Sequence, residues 1–249
     1  TRGGDRVDLR LPLEQEALIQ HVAGQARQTV VLLEAGSAIE VTPWVDQTDA
    51  LMMIWYPGCE GGHALARTLF GEANPCGRLP VTFPRSVRQL MDWDVSAMDV
   101  EHDLYHGYRY LDRSDKKAQY PFGFGLSYST FSLDGLRAER TGDGFLLNAT
   151  ITNSGQRVGA TVPQIYVSQP DSKVERVSKE LKGFGRVEVD PGESVDLEIE
   201  ILDQDLCYYD PENGWTLEAC SYEFWLADSA EDLQLRSAWS FDGEVWQPG

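Results

Sequence analysis

The first apolar pattern along the chain is helical. Leu18, Val22 and Ala26 recur every four residues, so they lie along one side of a helix. Pro12 suits the first turn of that helix because its missing N–H is not needed there. The pattern predicts a helix over residues 11–27 whose apolar stripe faces a core.

Two continuous apolar runs follow, over residues 29–33 and 50–55. Runs without polar alternation are typical of strands buried on both faces of a parallel sheet. Residues 61–70 then show a second helical pattern. Helices and buried strands joined by short connections predict part of an α/β layered domain.

The pattern weakens from residue 75 to residue 125, where Pro, Gly and aromatic residues are frequent. So many aromatics argue against a flexible linker. We therefore predict an α/β part over 1–91, an ordered connector over 92–125 and a second domain over 126–249.

The second domain contains short alternating segments separated by turn residues such as Asp190-Pro191-Gly192. Regularly spaced short strands predict a β-sandwich of the immunoglobulin or fibronectin type. The predicted strands cover residues 145–152, 161–168, 186–189, 195–201, 221–227 and 235–241.

The formal net charge of the 249-residue chain is −19. Such a field repels nucleic acid and gives no attraction to anionic membranes. No apolar run approaches the roughly 20 residues of a membrane span, so we expect neither partner. The chain begins without Met or a signal peptide, which suggests a start inside a longer protein and leaves its compartment open.

The four cysteines form no CxxC motif, so neither a zinc knuckle nor a thioredoxin motif is supported. Cys207 and Cys220 flank a predicted hairpin and could pair, although sequence cannot give the geometry. The alternative is that the cysteines are free, buried thiols.

Glu60 stands where a strand ends and a helix begins, which is where α/β sheets place ligands. Its carboxylate also suits the positive end of the helix dipole. With His63 it has the spacing of a carboxylate–histidine metal pair, but the sequence supplies no further ligand.

The connector holds His102 and His106, which would share a face on a helix, with Asp99 or Asp103 as speculative further ligands. Packing and hydrogen bonding are the alternative role. The neighbouring Glu101, Tyr105 and Arg109 could instead reach a substrate or a second subunit.

Four aromatic residues of the second domain could stack on sugar rings if exposed, or fill a core if buried. They are Trp215, Tyr222, Trp225 and Trp239.

Residues 55–84, WYPGCEGGHALARTLFGEANPCGRLPVTFP, resemble a long signature of family 3 glycoside hydrolases, with Cys59 departing from its usual Gln. Further stretches are similar in the same order, and the resemblance covers nearly the whole chain. They begin with Gly4-Asp5-Arg6 and continue at residues 107–110, 120–128, 149–155 and 179–184.

The resemblance implies the end of the family's α/β sandwich domain followed by a fibronectin type III-like domain. It also implies retaining hydrolysis of terminal β-linked glucose, which uses two carboxyl groups about 5–5.5 Å apart and no cofactor. The nucleophilic Asp would lie on an N-terminal (β/α)8-type barrel of about 250 residues. The acid/base Glu would lie just upstream of Thr1 or at the position of Arg2, and Arg cannot donate the proton.

We therefore expect no catalytic carboxylate in this chain. The residues expected nearest the sugar are Arg2, Asp5, Arg6, Glu60 and His102, although Asp5 and Arg6 could instead form a structural ion pair. Expected partners are a β-glucoside or oligosaccharide, the barrel domain of the same enzyme and a possible second copy. The alternatives are a carbohydrate-binding accessory subunit and a structural or interaction module.

Overall fold

The computed structural model describes Arg6, residues 8–92, Asp94 and residues 97–249. The chain divides into two compact units. The first comprises Thr1–Ala73 and Pro80–Phe122, and the second comprises Asn74–Leu79 and Gly123–Gly249. Residues 74–79 thus pack with the second unit. The boundaries at residues 91 and 125 stay a prediction.

The described residues of the first unit form two parallel strands and three helices. Strands β1 and β2 pair from Val30 opposite Ala50 to Leu33 opposite Met53. The element bounds are α1 Leu13–Ala23, β1 Val30–Leu33, β2 Ala50–Met53, α2 Gly61–Leu69 and α3 Tyr108–Arg113, with short 3-10 turns at Val45–Gln47 and Val87–Gln89. The predicted α/β character is confirmed.

The core of this unit lies beneath β1 and the segment that follows it. Val31 and Leu33 of the strand are buried, and so are Ile39, Val41 and Trp44 of the segment that follows it. The 3-10 turn Val45–Gln47 follows Trp44 directly. The alternate residues of β1 therefore give the unit its apolar interior.

The prediction that α1 buries its apolar stripe is wrong for the described chain. Leu18 and Val22 are 61% and 42% exposed, and Glu16 is the residue of α1 that is buried. Strand β2 is half-buried rather than enclosed on both faces. Two short strands present too little sheet to cover α1 as well as both of their own faces.

Within the predicted connector, residues 108–113 form the short helix α3, which begins after Gly107 at φ 57°. Six residues are too few for helical periodicity to be recognised. The end of the connector is ordered by Phe83, whose N–H donates to the carbonyl of Tyr120 at 2.9 Å. The two rings meet edge to face at 6.4 Å.

The second unit is a β-sandwich, as predicted. One sheet has the order β14-β13-β12-β6-β7 and another has the order β3-β4-β9, with β5-β8 and β10-β11 as smaller pairs, all antiparallel. The bounds are β3 Phe131–Thr141, β4 Gly144–Asn153, β5 Gly159–Thr161, β6 Gln164–Ser168, β7 Glu180–Phe184, β8 Val187–Val189, β9 Ser194–Leu202, β10 Tyr208–Asp210, β11 Gly214–Thr216, β12 Ser221–Ser229, β13 Asp232–Phe241 and β14 Trp246–Pro248, with helix α4 at Asp203–Leu206.

The sandwich core is centred on Phe145 of β4, which is fully buried. Its ring lies 4.9 Å from Phe224, 5.2 Å from Trp239 and 4.8 Å from Trp246, measured between centroids. Alternate residues of β4 and β9 point into this core, which is why their sequence pattern predicted strands.

The predicted strand over 161–168 is instead two strands, β5 and β6, because Pro163 between them cannot donate a ladder hydrogen bond. Strand β3 escaped prediction because charged residues dominate its outer face. Its pairing also shifts between Asp134 and Arg137, with Gly135 at φ 69°.

All four cysteines are free, so the suggested pairing of Cys207 with Cys220 does not form. Burial raises the pKa of Cys220 to about 11, which keeps this thiol protonated and unreactive. Cys59 is exposed, so the expectation that every thiol is buried is wrong at this position.

In the part of the chain that the structure describes, no helix is both long and apolar enough to cross a bilayer.

The segment that joins β6 to β7, residues 169–179 (the β6–β7 loop), is anchored by the buried carboxylate of Glu218. Ser172 donates to it at 2.7 Å, the Lys173 N–H at 2.6 Å and Arg176 at 3.4 Å. Burial alone would raise the pKa of Glu218, but these donors outweigh it and lower the pKa.

Because the pKa of Glu218 is lower in the folded state, its contribution to stability is present at neutral pH and is lost as pH falls below 4.5. Glu218→Gln should cost about 1–3 kcal/mol at pH 7. The difference from wild type should shrink as pH falls through that range, as measured by urea unfolding at each pH. Glu212→Gln, at an exposed position, is the control and should show little effect. A Glu218→Gln deficit that does not depend on pH would contradict this assignment.

Candidate functional site

The parallel pairing of β1 and β2 brings their carboxyl ends to one edge of the sheet. Residues 34–37 follow β1 and residues 54–60 follow β2. The Ile54 N–H donates to the carbonyl of Leu33 at 2.9 Å, which holds together the segments that follow the two strands. In α/β sheets, ligands bind in the crevice outside such ends.

The exit from β2 is a tight turn with unusual backbone geometry. Trp55 has φ 52°, which is rare for a bulky side chain, and Gly58 has φ 72°. A Cβ on Gly61 would lie 2.6 Å from the ring of Pro57, so the turn closes tightly onto the start of α2. Such conformations persist only where the surroundings enforce them, and they are concentrated at functional sites.

Gly36 after β1 touches Tyr56 after β2. A Cβ on Gly36 would lie 2.8 Å from the Tyr56 hydroxyl oxygen, so glycine lets the ring lie across this loop. Tyr56 is 74% exposed despite its size. The edge of the sheet therefore presents an aromatic face to solvent.

Arg6 lies against the same loop. Its guanidinium donates to the Ser37 hydroxyl at 3.2 Å and to the Arg10 carbonyl at 2.7 Å. A cavity of about 600 Å³ is lined by Arg6 and Arg10 together with Ala35 and Ile39. The lining of the cavity thus combines cationic hydrogen-bond donors with the apolar side chains of Ala35 and Ile39.

Arg10 is itself fixed by Glu16 of α1. Its Nε donates to Glu16 Oε1 at 3.1 Å, and its Nη2 donates to Oε2. The hydrogen bond and charge of Glu16 raise the pKa of Arg10. Glu16 is 4% exposed, so this bidentate pair ties α1 to the cavity wall.

The chemistry available at this cavity is binding rather than bond cleavage by a carboxylate pair. Among its described lining residues Asp8 is the one carboxylate, and that group accepts the Arg10 N–H at 3.0 Å. A retaining glycosidase needs two carboxyl groups about 5–5.5 Å apart. The described residues that line this cavity therefore supply groups for binding and no such carboxyl pair.

Comparison with known families gives two matches. The glycosyl hydrolase family 3 C-terminal domain matches residues 1–128, and a fibronectin type III-like domain matches residues 161–230. The chain belongs to glycoside hydrolase family 3. The resemblance of residues 55–84 to that family, inferred from the sequence, is confirmed.

Relatives from several organisms match this family 3 chain along nearly its whole length. A β-glucosidase of Rhizobium radiobacter is 37% identical over 94% of the chain, and an exo-α-(1→6)-L-arabinopyranosidase of Bifidobacterium longum is 33% identical over 98%. The structure of β-glucosidase 3B from Thermotoga neapolitana matches all of it with a TM-score of 0.89 and 33% identity. The chain spans 30%, 33% and 36% of these proteins, about a third of each.

The site residues predicted for this family 3 chain fall in different places. Arg2 and Asp5 lie outside the described residues, so the suggested ion pair of Asp5 with Arg6 does as well. Arg6 lines the cavity at the sheet edge. Glu60 precedes α2, is largely exposed and lies 3.0 Å from the ring of His63.

His102 and His106 lie in irregular, exposed backbone rather than on a shared helix face. No group of three or more His, Cys, Asp or Glu with metal-site geometry occurs among the described residues. Nearby, Arg113 lies 4.0 Å over the ring of Tyr105, and the Tyr105 N–H donates to Asp103 at 2.8 Å. These contacts are local packing.

The four aromatics of the sandwich separate into two groups. Tyr222 is fully buried and Trp239 packs on Phe145, so both belong to the core. Trp215 is 74% exposed, and Trp225 is half-buried beside a cavity. Tyr222 and Trp239 therefore fill the core, and Trp215 and Trp225 are the two of the four that stay accessible for stacking on a sugar ring.

Sequence reasoning missed Tyr56, Ser37 and Arg10 at the site. Tyr56 carried a usable signal, because a large aromatic directly after a buried strand is favourably placed for a ligand. The bond from Arg6 to Ser37 joins residues 31 positions apart and has no signature in one sequence.

Removing Arg10 tests the anchoring of the cavity wall. Arg10→Met should destabilise the first unit, because it leaves the buried Glu16 carboxylate without its donor. Hydrogen exchange of residues 13–69 would report the loss, and adding Glu16→Leu should recover most of it. Arg67→Met, which breaks an exposed pair with Glu72 at 3.6 Å, should change little. If Arg10→Met and Arg67→Met changed hydrogen exchange equally, the role of Arg10 in anchoring α1 would be contradicted.

Proposed function

We propose that this chain is the C-terminal part of a retaining β-glucosidase-type enzyme that hydrolyses terminal β-linked glucosyl residues. The observation that carries the proposal is its membership of glycoside hydrolase family 3 across both matched domains. The β-glucosidase of Rhizobium radiobacter supports the choice of sugar. An arabinopyranosidase among the relatives shows that the sugar varies within the family.

In this proposal both catalytic carboxylates lie outside the 249 residues. The nucleophilic Asp belongs to an N-terminal barrel, and the acid/base Glu belongs just before Thr1 or at the position that Arg2 occupies. The donors of Arg6 and Arg10 at the cavity support this division, because they suit the binding of hydroxyl groups. The exposed ring of Tyr56 beside Gly36 also supports it, because an aromatic face suits the packing of a sugar ring. Retaining hydrolysis by two carboxyl groups requires neither a metal nor an organic cofactor.

Of the predicted substrate-proximal residues, Arg6 is the one whose position supports the role best. Its guanidinium lines a cavity and keeps donors beyond those used on Ser37 and Arg10. Glu60 and His102 are exposed and are weaker candidates. Arg2 and Asp5 stay predictions from the resemblance.

The exposed apolar face of the first unit supports an N-terminal partner segment in the complete enzyme. Leu13, Leu18 and Val22 of α1 are 69%, 61% and 42% exposed, and Val30 at the edge of β1 is 49% exposed. Leu18 and Val22 lie four residues apart on one side of α1, and exposed apolar side chains of this kind are suited to burial by another part of the same protein. The possible homodimer, and the absence of nucleic-acid and membrane partners, stay predictions.

The direct test is hydrolysis of 4-nitrophenyl β-glucoside by the purified 249-residue chain. We expect no turnover, because the described lining of the cavity supplies one carboxylate, Asp8, and retaining hydrolysis needs two. The Rhizobium radiobacter enzyme, assayed in parallel, is the positive control. Turnover that survives rigorous purification would place the catalytic pair inside this sequence and overturn the assignment.

A further inference from the structure

A second cavity, of about 500 Å³, opens on the sandwich between the β6–β7 loop and the outward side of β12. Its lining includes Gln169, Arg176 and Lys179 from the loop or its ends, and Glu223 and Trp225 from the strand. We propose that this cavity is an accessory, non-catalytic binding site for a neutral oligosaccharide.

The aromatic element of the site is Trp225. It alternates with the buried Phe224 and Leu226, so its indole points away from the sandwich core and into the cavity. The Arg236 guanidinium lies 5.8 Å from its ring centroid and helps to hold the indole in place. A half-buried, fixed indole offers the apolar surface against which the C–H face of a sugar ring packs.

The hydrogen-bonding element is the side chain of Gln169. It is 7% exposed, and its amide nitrogen has no hydrogen-bond partner within the described residues. A buried donor left without an acceptor is costly. Because this nitrogen is buried, a small shift of the side chain would let it donate to a hydroxyl group in the cavity.

The charges around the cavity favour a neutral ligand over an ionic one. Arg176 pairs with Glu218 at 3.4 Å, and Glu223 pairs with Arg236 at 2.5 Å. The net charge of −19 further disfavours acidic sugars. The charges of Arg176 and Glu223 are thus already paired, and a site that adds a fixed aromatic ring and hydrogen-bonding groups suits a polyhydroxylated, uncharged chain.

The choice of an oligosaccharide rests on the proposed function, whereas the position of the site does not. The cavity belongs wholly to the second unit, and nothing in it requires the catalytic carboxylates. The test therefore measures binding rather than turnover, so the two proposals can fail separately.

The experiment is calorimetric titration of cellotetraose into the purified 249-residue chain. We expect saturable binding that Trp225→Ala weakens at least tenfold. Trp215→Ala, which removes an exposed indole outside the cavity, is the matched control and should change the affinity less than twofold. Thermal unfolding would check that each variant is folded.

A second variant tests the proposal independently in case Trp225→Ala does not fold. Ser178 is exposed at the cavity rim, so Ser178→Trp should fill the space and weaken binding without altering the indole. The proposal is overturned if no binding occurs up to roughly 10 mM, where even millimolar affinity is seen. It is also overturned if folded Trp225→Ala and Ser178→Trp bind as wild type does, or if Trp215→Ala abolishes binding.

Discussion

The parallel pairing of β1 with β2 is the constraint on which the candidate site depends. Because Leu33 lies opposite Met53, the loops that follow the two strands leave the sheet side by side. That places Gly36 against Tyr56 and gives Arg6 a loop to bind through Ser37. An antiparallel pairing would send the two loops to opposite edges of the sheet and separate these groups.

In the first unit, the interior and the first helix differ in how well their apolar residues are buried. Its interior around Trp44 is closed, yet α1 exposes the apolar residues that its sequence would be expected to bury. Helix α1 is tied to the segment before it by a bidentate ion pair of Glu16 with Arg10. A unit held in this way is suited to present an apolar face to a further segment of the same enzyme, as we propose. The second unit differs, because its core around Phe145 is complete within the described strands.

The parts of the fold that could be predicted are those where side-chain pattern and burial coincide. The apolar runs 29–33 and 50–55 gave β1 and β2, and the alternation of residues 145–152 and 195–201 gave β4 and β9. Periodicity identified the apolar side of α1 correctly, but periodicity cannot say whether anything covers that side. Helix α3 was too short to show a period.

The site was less predictable than the fold. The resemblance of residues 55–84 to family 3 placed the turn, but the positive φ of Trp55 has no signature in the sequence. The contacts of Gly36 with Tyr56 and of Arg6 with Ser37 join separate loops. The accessory cavity depends on Glu218 holding a loop that lies more than 40 residues away in sequence. Contacts of this kind arise from tertiary structure, and a single sequence does not record them.

The central claim is that this chain completes a family 3 active site whose catalytic carboxylates come from an N-terminal segment. The most direct measurement is the activity of a chimera in which this chain replaces the matching C-terminal portion of the Rhizobium radiobacter β-glucosidase. We predict that the chimera hydrolyses 4-nitrophenyl β-glucoside and that Arg6→Ala in the chimera lowers kcat/KM at least tenfold. The account would be contradicted by a folded chimera without activity. It would also be contradicted by an active chimera whose kcat/KM is unchanged by Arg6→Ala.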